Sequence, residues 1–261
     1  MSGIMVFRRH RSPNLILAAV LLLPVLAASQ ERVTVAVASN FARTATEIAA
    51  RFTARTGHQV HIIAASTGKL YAQIINGAPY DVLLAADAER PRLLEEAGLG
   101  VAGTRFAYAF GTLVLWSRDP VVAAAGCRAQ LLHLGKKHLA IANPGTAPYG
   151  VAAREFLLDA GLWEQVRPRL VFGENILQTL QFVASGNASL GLIAQSQTGI
   201  PALPSSTCEW VVPTHTYSPL EQQAILLQRA ADKKAASAFL NYLRGPAGRE
   251  QIAGHGYVLP D

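Results

Sequence analysis

Apolar runs of strand length alternate with amphipathic helical stretches from residue 33 to the end of the chain, which confines the fold to an α/β type with largely parallel sheets. Strand 33–38 leads into a helix near residue 41 that places Phe41, Ala45, Ile48, Ala49 and Phe52 on one face and ends at Gly57. Strand 60–65, helix 69–76 ended by Gly77, and the inner strand 81–86 follow; Asp87 then N-caps a helix through Glu96. Residues 106–116 are almost continuously apolar and read as one long strand crossing from one lobe to another. A second series contains strand 139–142, the turn 143–150, helix 151–160, strand 169–172, helix 176–185 and strand 190–194. The Pro/Ser-rich stretch 201–207 is a surface loop. The extended segment 222–227 returns the chain to the first lobe, and helices 233–244 and 246–255 close it.

This order predicts two Rossmann-like lobes joined by two extended crossovers: residues 30–111 with 220–261, and residues 112–219. Ligands of open α/β sheets sit at strand C-termini, and two-lobed binders close on them by hinge motion.

Residues 1–29 read as a signal peptide and not as part of the fold. Arg8, Arg9 and Arg11 make a basic segment, an apolar run follows from Leu15 to Ala27, and Ala27-Ala28-Ser29 offers small residues for cleavage after Ala28 or Ser29. Three of the 23 basic residues leave with it, so the formal charge of +6 falls to about +3, giving no reason to invoke nucleic acid or lipid headgroups. The two cysteines, Cys127 and Cys208, both lie in the remainder. Export permits a disulfide between them; two separate buried thiols are the alternative.

The candidate chemistry lies at junctions between strands and helices. Ser39-Asn40 and Ser66-Thr67-Gly68 each stand at the mouth of a helix, where first-turn N–H groups lack partners and the helix dipole is positive. Hydroxyls and the Asn40 amide would complete a shell for an oxyanion without Lys or Arg. Taken singly, Ser39 and Thr67 read equally as helix caps, and Asn40 as a turn residue. Enzymatic readings fare worse. Ser66-Thr-Gly-Lys69 lacks the upstream glycine of a P-loop, and Leu70 replaces its Ser/Thr. No Gly-x-Ser-x-Gly elbow occurs, and the histidines lack zinc spacing. Asp81 and Asp87 read as strand-edge and capping residues, not as a catalytic pair.

Several segments match in order. They are Val-Ala-Val-Ala-Ser39-Asn40-Phe, Ala65-Ser66-Thr67-Gly68-Lys-Leu-Tyr-Ala-Gln-Ile and Gly77-Ala-Pro-Tyr-Asp81-Val-Leu-Leu-Ala-Ala-Asp87, followed by Pro148-Tyr149-Gly150, Glu174-Asn175-Ile176 and Leu190-Gly-Leu-Ile-Ala194. In these the chain resembles the periplasmic molybdate-binding proteins of ABC transporters, which have a type II periplasmic binding protein fold. The resemblance implies oxyanion contacts from Ser39, Asn40 and the pair Ser66/Thr67, with Thr67 the better match to the family's second binding serine. It also implies backbone N–H donors at Tyr149 and Ile176. Many family members carry a ligand-binding tyrosine where this chain has Ala194, and Tyr149 is the candidate to supply that phenol.

The function expected is capture of molybdate, and also tungstate, by a monomeric periplasmic receptor that delivers it to a membrane permease without catalysis or cofactor. A sulfate or other oxyanion receptor, a sensor of the same fold and a periplasmic hydrolase are the alternatives.

Overall fold

The computed structural model describes residues 3–5, 30–201 and 203–261, with no account of the side chains of residues 123–125. The signal-peptide reading falls almost wholly on residues outside this set. Among the described residues no helix is long and apolar enough to cross a membrane.

The chain begins β1 (Arg32–Ala38), α1 (Ala42–Thr56), β2 (Gln59–Ala65), α2 (Thr67–Ile75), β3 (Val82–Leu84), α3 (Glu89–Glu96) and β4 (Phe106–Gly111). It continues through β5 (Leu113–Ser117), α4 (Pro120–Ala125), α5 (Cys127–Leu132), β6 (Leu139–Ala142), α6 (Pro148–Asp159) and α7 (Trp163–Val166). Then come β7 (Leu170–Gly173), α8 (Ile176–Ala184), β8 (Leu190–Ala194), β9 (Cys208–Val211), β10 (Leu220–Leu226), α9 (Lys234–Arg244) and α10 (Pro246–Gly254). The strands form two five-stranded sheets, in the orders β2-β1-β3-β10-β4 and β7-β6-β8-β5-β9.

Both sheets are mixed, not largely parallel. β1 pairs in parallel with β2 and β3, and β6 with β7 and β8. β10 runs antiparallel to β3 and β4, and β5 antiparallel to β8 and β9. The strands that cross between lobes cause this, because each enters its sheet from the hinge end, opposite to the strands feeding βα units. The apolar run 106–116 is likewise two strands: Gly111 ends β4 in one sheet and Leu113 begins β5 in the other, with Thr112 between them.

Local chemistry explains the element ends. In α1, Ala45, Ile48, Ala49 and Phe52 are buried at the spacing of one helical face, and Gly57 closes the helix at φ 78°. The N-cap of α3 is Ala88, not the expected Asp87, which lies one residue earlier, accepts from the Arg90 backbone N–H at 2.9 Å and pairs with the Arg90 guanidinium at 2.7 Å. α6 starts at Pro148, three residues before the expected position, because proline is preorganised for a first helical turn. α2 likewise starts at Thr67, before the expected Lys69. These shifts put Thr67 and Tyr149 inside first turns.

Aromatic packing fills the first lobe, with Phe52 edge-on to Phe239 at 5.4 Å and Phe41 against Tyr108 at 4.7 Å. Asp81 is buried beneath it, accepts from the Thr34 N–H at 2.8 Å and pairs with Lys233 at 2.7 Å, which ties the start of α9 to β1 and β3. In the second lobe Leu113, Leu115, Leu139, Ile141, Phe156 and Leu192 share one core. Ala38 and Ala86, from the ends of the first sheet, pack into that same core. The lobes therefore touch at the strand ends.

Cys127, at the start of α5, is disulfide-bonded to Cys208 of the edge strand β9, with a Cα–Cα distance of 5.7 Å and a sequence separation of 81. Closing a loop of that length restrains the unfolded chain, so reduction should lower the unfolding free energy by about 2–4 kcal/mol. Denaturant unfolding with and without reductant measures it, and equal midpoints would contradict the expectation.

Candidate functional site

Four chain turns from the two lobes meet at one small cavity. Its wall comprises Ala38, Ser39, Asn40, Ser66, Thr67, Ala86, Ala147, Pro148, Tyr149 and Ile176, all uncharged. The six residues singled out by sequence thus lie around a single space. The cavity holds about 10 Å³. Sites for organic ligands run to roughly 300 Å³ or more, so this one, as shut, has no room for a sugar, amino acid or peptide.

The polar groups of the wall are overwhelmingly donors. Among the described residues, the backbone N–H groups of Asn40, Thr67, Tyr149 and Ile176 make no hydrogen bond. Thr67 and Ile176 open α2 and α8, and Tyr149 is the second residue of α6. Asn175 caps α8 by accepting from the Leu177 and Gln178 N–H groups, both at 3.0 Å, and leaves the Ile176 N–H over. Positive helix ends from both lobes therefore converge on the cavity.

The hydroxyls are not helix caps. Ser66 occupies the N-cap position of α2 without making a cap bond, and its buried Oγ has no hydrogen-bond partner. A buried orphan hydroxyl is costly and calls for a ligand or other explanation. Thr67 Oγ1 accepts from the Ala86 N–H at 3.0 Å, which leaves its own hydrogen to donate. Ser39 gives its N–H to the Ala65 carbonyl at 2.9 Å, and the N-cap of α1 falls on Phe41, so the Ser39 hydroxyl is not engaged as a cap either.

Asn40 differs from expectation. Its side-chain amide donates to Gln222 Oε1 at 2.9 Å and to the Tyr257 hydroxyl at 3.2 Å, so both amide hydrogens are occupied. The Tyr257 hydroxyl in turn donates to the Asn40 carbonyl at 2.9 Å. What Asn40 has available for a ligand is its backbone N–H, held in place by its own side chain. Ala194 is buried within β8 and is not part of the cavity wall. The Tyr149 hydroxyl accepts from Gln222 Nε2 at 3.4 Å, and among the described residues nothing accepts its hydrogen.

Gln222, Tyr108 and Tyr257 were not singled out by sequence. They form the buried polar layer supporting the site, with Tyr108 donating to Gln222 Oε1 and the Ala85 carbonyl, each at 3.1 Å. The available signal was the polar run Glu221-Gln222-Gln223 leading into the apolar segment 224–227. Burial, with a smaller contribution from neighbouring phenols, pushes Tyr108 and Tyr149 well above the ordinary phenol range, and burial raises Tyr257 as well. All three remain neutral at physiological pH.

Contacts across the cleft surround the cavity. The Gly68 N–H donates to the Thr146 carbonyl at 2.8 Å, an approach that a Cβ on Gly68 would obstruct. Lys69 pairs with Glu174 at 2.7 Å at the exposed rim, and Arg43 donates to the Gly199 carbonyl at 2.9 Å. Two α/β lobes shut on a small, neutral, donor-lined cavity make a receptor. Residues 33–258 match the family model described as bacterial extracellular solute-binding protein. The chain belongs to this family.

Its relatives within the family include the molybdate-binding protein ModA of Rhodobacter capsulatus, 44% identical over 89% of this chain and 90% of the relative. The molybdate-binding protein ModA of Azotobacter vinelandii is 46% identical over 89% of this chain and 92% of the relative. The solved structure of the Azotobacter vinelandii periplasmic molybdate-binding protein superposes with a TM-score of 0.82 at 38% identity, covering 88% of this chain and all of that one. A solute-binding family has no catalytic step, which sets the hydrolase alternative aside. The fold is the type II binding-protein arrangement.

In this solute-binding protein the orphan hydroxyl of Ser66 makes opposite demands on stability and binding. Ser66→Ala should leave the ligand-free protein as stable or up to about 1 kcal/mol more stable, while weakening anion binding by about fivefold or more. Thermal melts and calorimetric titration of the same samples measure both effects. A destabilised variant with unchanged binding would make Ser66 purely structural.

Proposed function

We propose that the protein is the extracytoplasmic receptor for molybdate, and also tungstate, of an ABC importer. The observation carrying this reading is the cavity wall itself: uncharged, nearly all donors, and too small for an organic ligand. The names of the relatives agree with it. Molybdate near neutral pH is a tetrahedral dianion without a proton, so every oxygen only accepts hydrogen bonds. A wall of N–H and O–H donors suits it, and charge on the acceptor makes such bonds roughly twice as strong as neutral ones.

The proposed ligand set is the Asn40, Thr67, Tyr149 and Ile176 backbone N–H groups with the Ser39, Ser66 and Thr67 hydroxyls. The Tyr149 phenol completes it. Residues 30–111 with 220–261 act as one lobe and residues 112–219 as the other, opening about the crossovers next to Thr112 and Leu220. The anion enters the open cleft, the lobes close on it, and the closed monomer presents it to the membrane permease. Residues 1–29 direct export and are removed, leaving the receptor in the periplasm. Fixed backbone donors cannot follow a smaller anion inward without losing geometry, which selects against sulfate.

Calorimetric titration of the mature protein with molybdate, tungstate, sulfate and phosphate tests the reading. Molybdate and tungstate should bind at least about 100-fold more tightly than sulfate, a difference of about 2.7 kcal/mol. Equal affinity for sulfate would overturn the assignment. Because no group in the cavity wall is charged and its phenol is pushed upward, molybdate affinity should also be flat between about pH 6 and pH 9. A titration series in matched ionic strength reads this, and a step within that window would place an ionising group in the shell.

A further inference from the structure

Tyr149 crosses the boundary between the lobes. Its backbone belongs to the first turn of α6, while its hydroxyl end lies against Gly111 and Gln222 on the hinge strands β4 and β10. We propose that Gly111 and Gln222 form a seat for the Tyr149 phenol, filled only when the lobes are shut, and that Gln222 is a positioning residue joining the anion donors of the two lobes. This rests on the molybdate-receptor reading and names residues outside its ligand set.

Two features build the seat. At Gly111 a Cβ would lie 2.2 Å from the Tyr149 hydroxyl oxygen, 3.0 Å from Tyr149 Cζ and 2.8 Å from Gln222 Nε2. Gly111 is not among the residues with positive φ, so room, and not backbone freedom, demands glycine there. It is also the last residue of β4, one position before Thr112 in the crossover. The second feature is a register shift in the pairing of β10 with β4: Gln222 opposes Ala109 and Gln223 opposes Ala107. Such bulges re-aim side chains, and Gln222 here is fully buried beside the cavity.

Gln222 uses both ends of its amide. Its oxygen accepts from Asn40 Nδ2 at 2.9 Å and from the Tyr108 hydroxyl at 3.1 Å, and its nitrogen donates to the Tyr149 hydroxyl at 3.4 Å. The connection therefore runs from the unpaired N–H of Asn40, through the Asn40 side chain and Gln222, to the Tyr149 phenol and so to the unpaired N–H of Tyr149. Opening the cleft withdraws the phenol and breaks this connection at its weakest link. Shutting it reseats the phenol and brings both donors to the anion together.

A cycle of variants tests the seat, read by molybdate calorimetry and by the change in radius of gyration that molybdate produces in solution scattering. Gly111→Ala should weaken molybdate binding at least about tenfold and abolish the molybdate-induced contraction, because its methyl group blocks the phenol. Tyr149→Phe should cost about fivefold, the scale of a lost hydrogen bond. Adding Tyr149→Phe to Gly111→Ala should recover part of the lost affinity, since the closest contact, with the hydroxyl, is gone while those with Cζ and Gln222 Nε2 remain.

Gln222→Leu combined with Tyr149→Phe should be less damaging than the product of the two single effects, and this pair serves if Gly111→Ala fails to fold. Wild-type affinity for Gly111→Ala, or independent multiplying effects in the pair that is measured, would overturn the seat. Failure of the wild-type protein to bind molybdate would instead overturn the receptor reading. The seat would then be judged by the same cycle with whichever of tungstate, sulfate or phosphate contracts the protein; independent effects there, or no contraction with any of them, would overturn it.

Discussion

The first-turn N–H groups of an α-helix cannot be satisfied within the helix, and in this protein several are left unsatisfied on purpose-built ground. α2, α6 and α8 all begin at the edge of one cavity, and the turn before α1 adds the Asn40 N–H. Left in a sealed apolar space, each such group would cost about 1–3 kcal/mol, and the buried Ser66 hydroxyl adds to the sum. The shut form is therefore a structure with an electrostatic demand at its centre. That demand is for negative charge and for acceptors, and no side chain of the cavity wall answers it.

The rest of the architecture serves to bring those helix ends together. Parallel strands β1, β2 and β3 in one lobe and β6, β7 and β8 in the other point their C-terminal ends toward the boundary, so the helices that follow start there. The crossing strands enter antiparallel, which is why both sheets are mixed. Ala38, Ala86 and Ala147 contribute only methyl groups at the meeting point and let the lobes approach closely. Gly68 does the same against the Thr146 carbonyl. Beneath them Asn40, Tyr108, Gln222, Tyr149 and Tyr257 form a buried layer whose hydrogen bonds hold two of the donors in place.

Much of this was legible from residue order. The alternation of elements, the positions of most helices and the junctions at Ser39-Asn40 and Ser66-Thr67 follow from local periodicity and turn chemistry, which depend on near neighbours in the chain; the donor roles of Tyr149 and Ile176 came from the family resemblance. Most of the errors share a cause. Residues 106–116 look like one strand because apolar character does not record which sheet a residue joins. The early start of α2 goes with a turn held from outside, where Thr146 receives the Gly68 N–H from the other lobe, whereas that of α6 had a local signal in Pro148. The Asn40 amide looked available because its partners, Gln222 and Tyr257, lie 182 and 217 residues away.

By itself, then, the sequence determined the α/β class, the order of elements, the absence of a catalytic motif and the residue types able to offer neutral donors, since each of these is written in short-range pattern. Tertiary structure alone decided which of those donors remain unpaired. A hydroxyl after a strand becomes a cap, a sheet contact or a ligand depending on what lies opposite it. Here the distant lobe leaves Ser66 without a partner, turns the Asn40 side chain toward Gln222, and sets the Tyr149 phenol over Gly111. Hydrogen bonding is satisfied pairwise through space, and the partner is not encoded beside the residue that needs it.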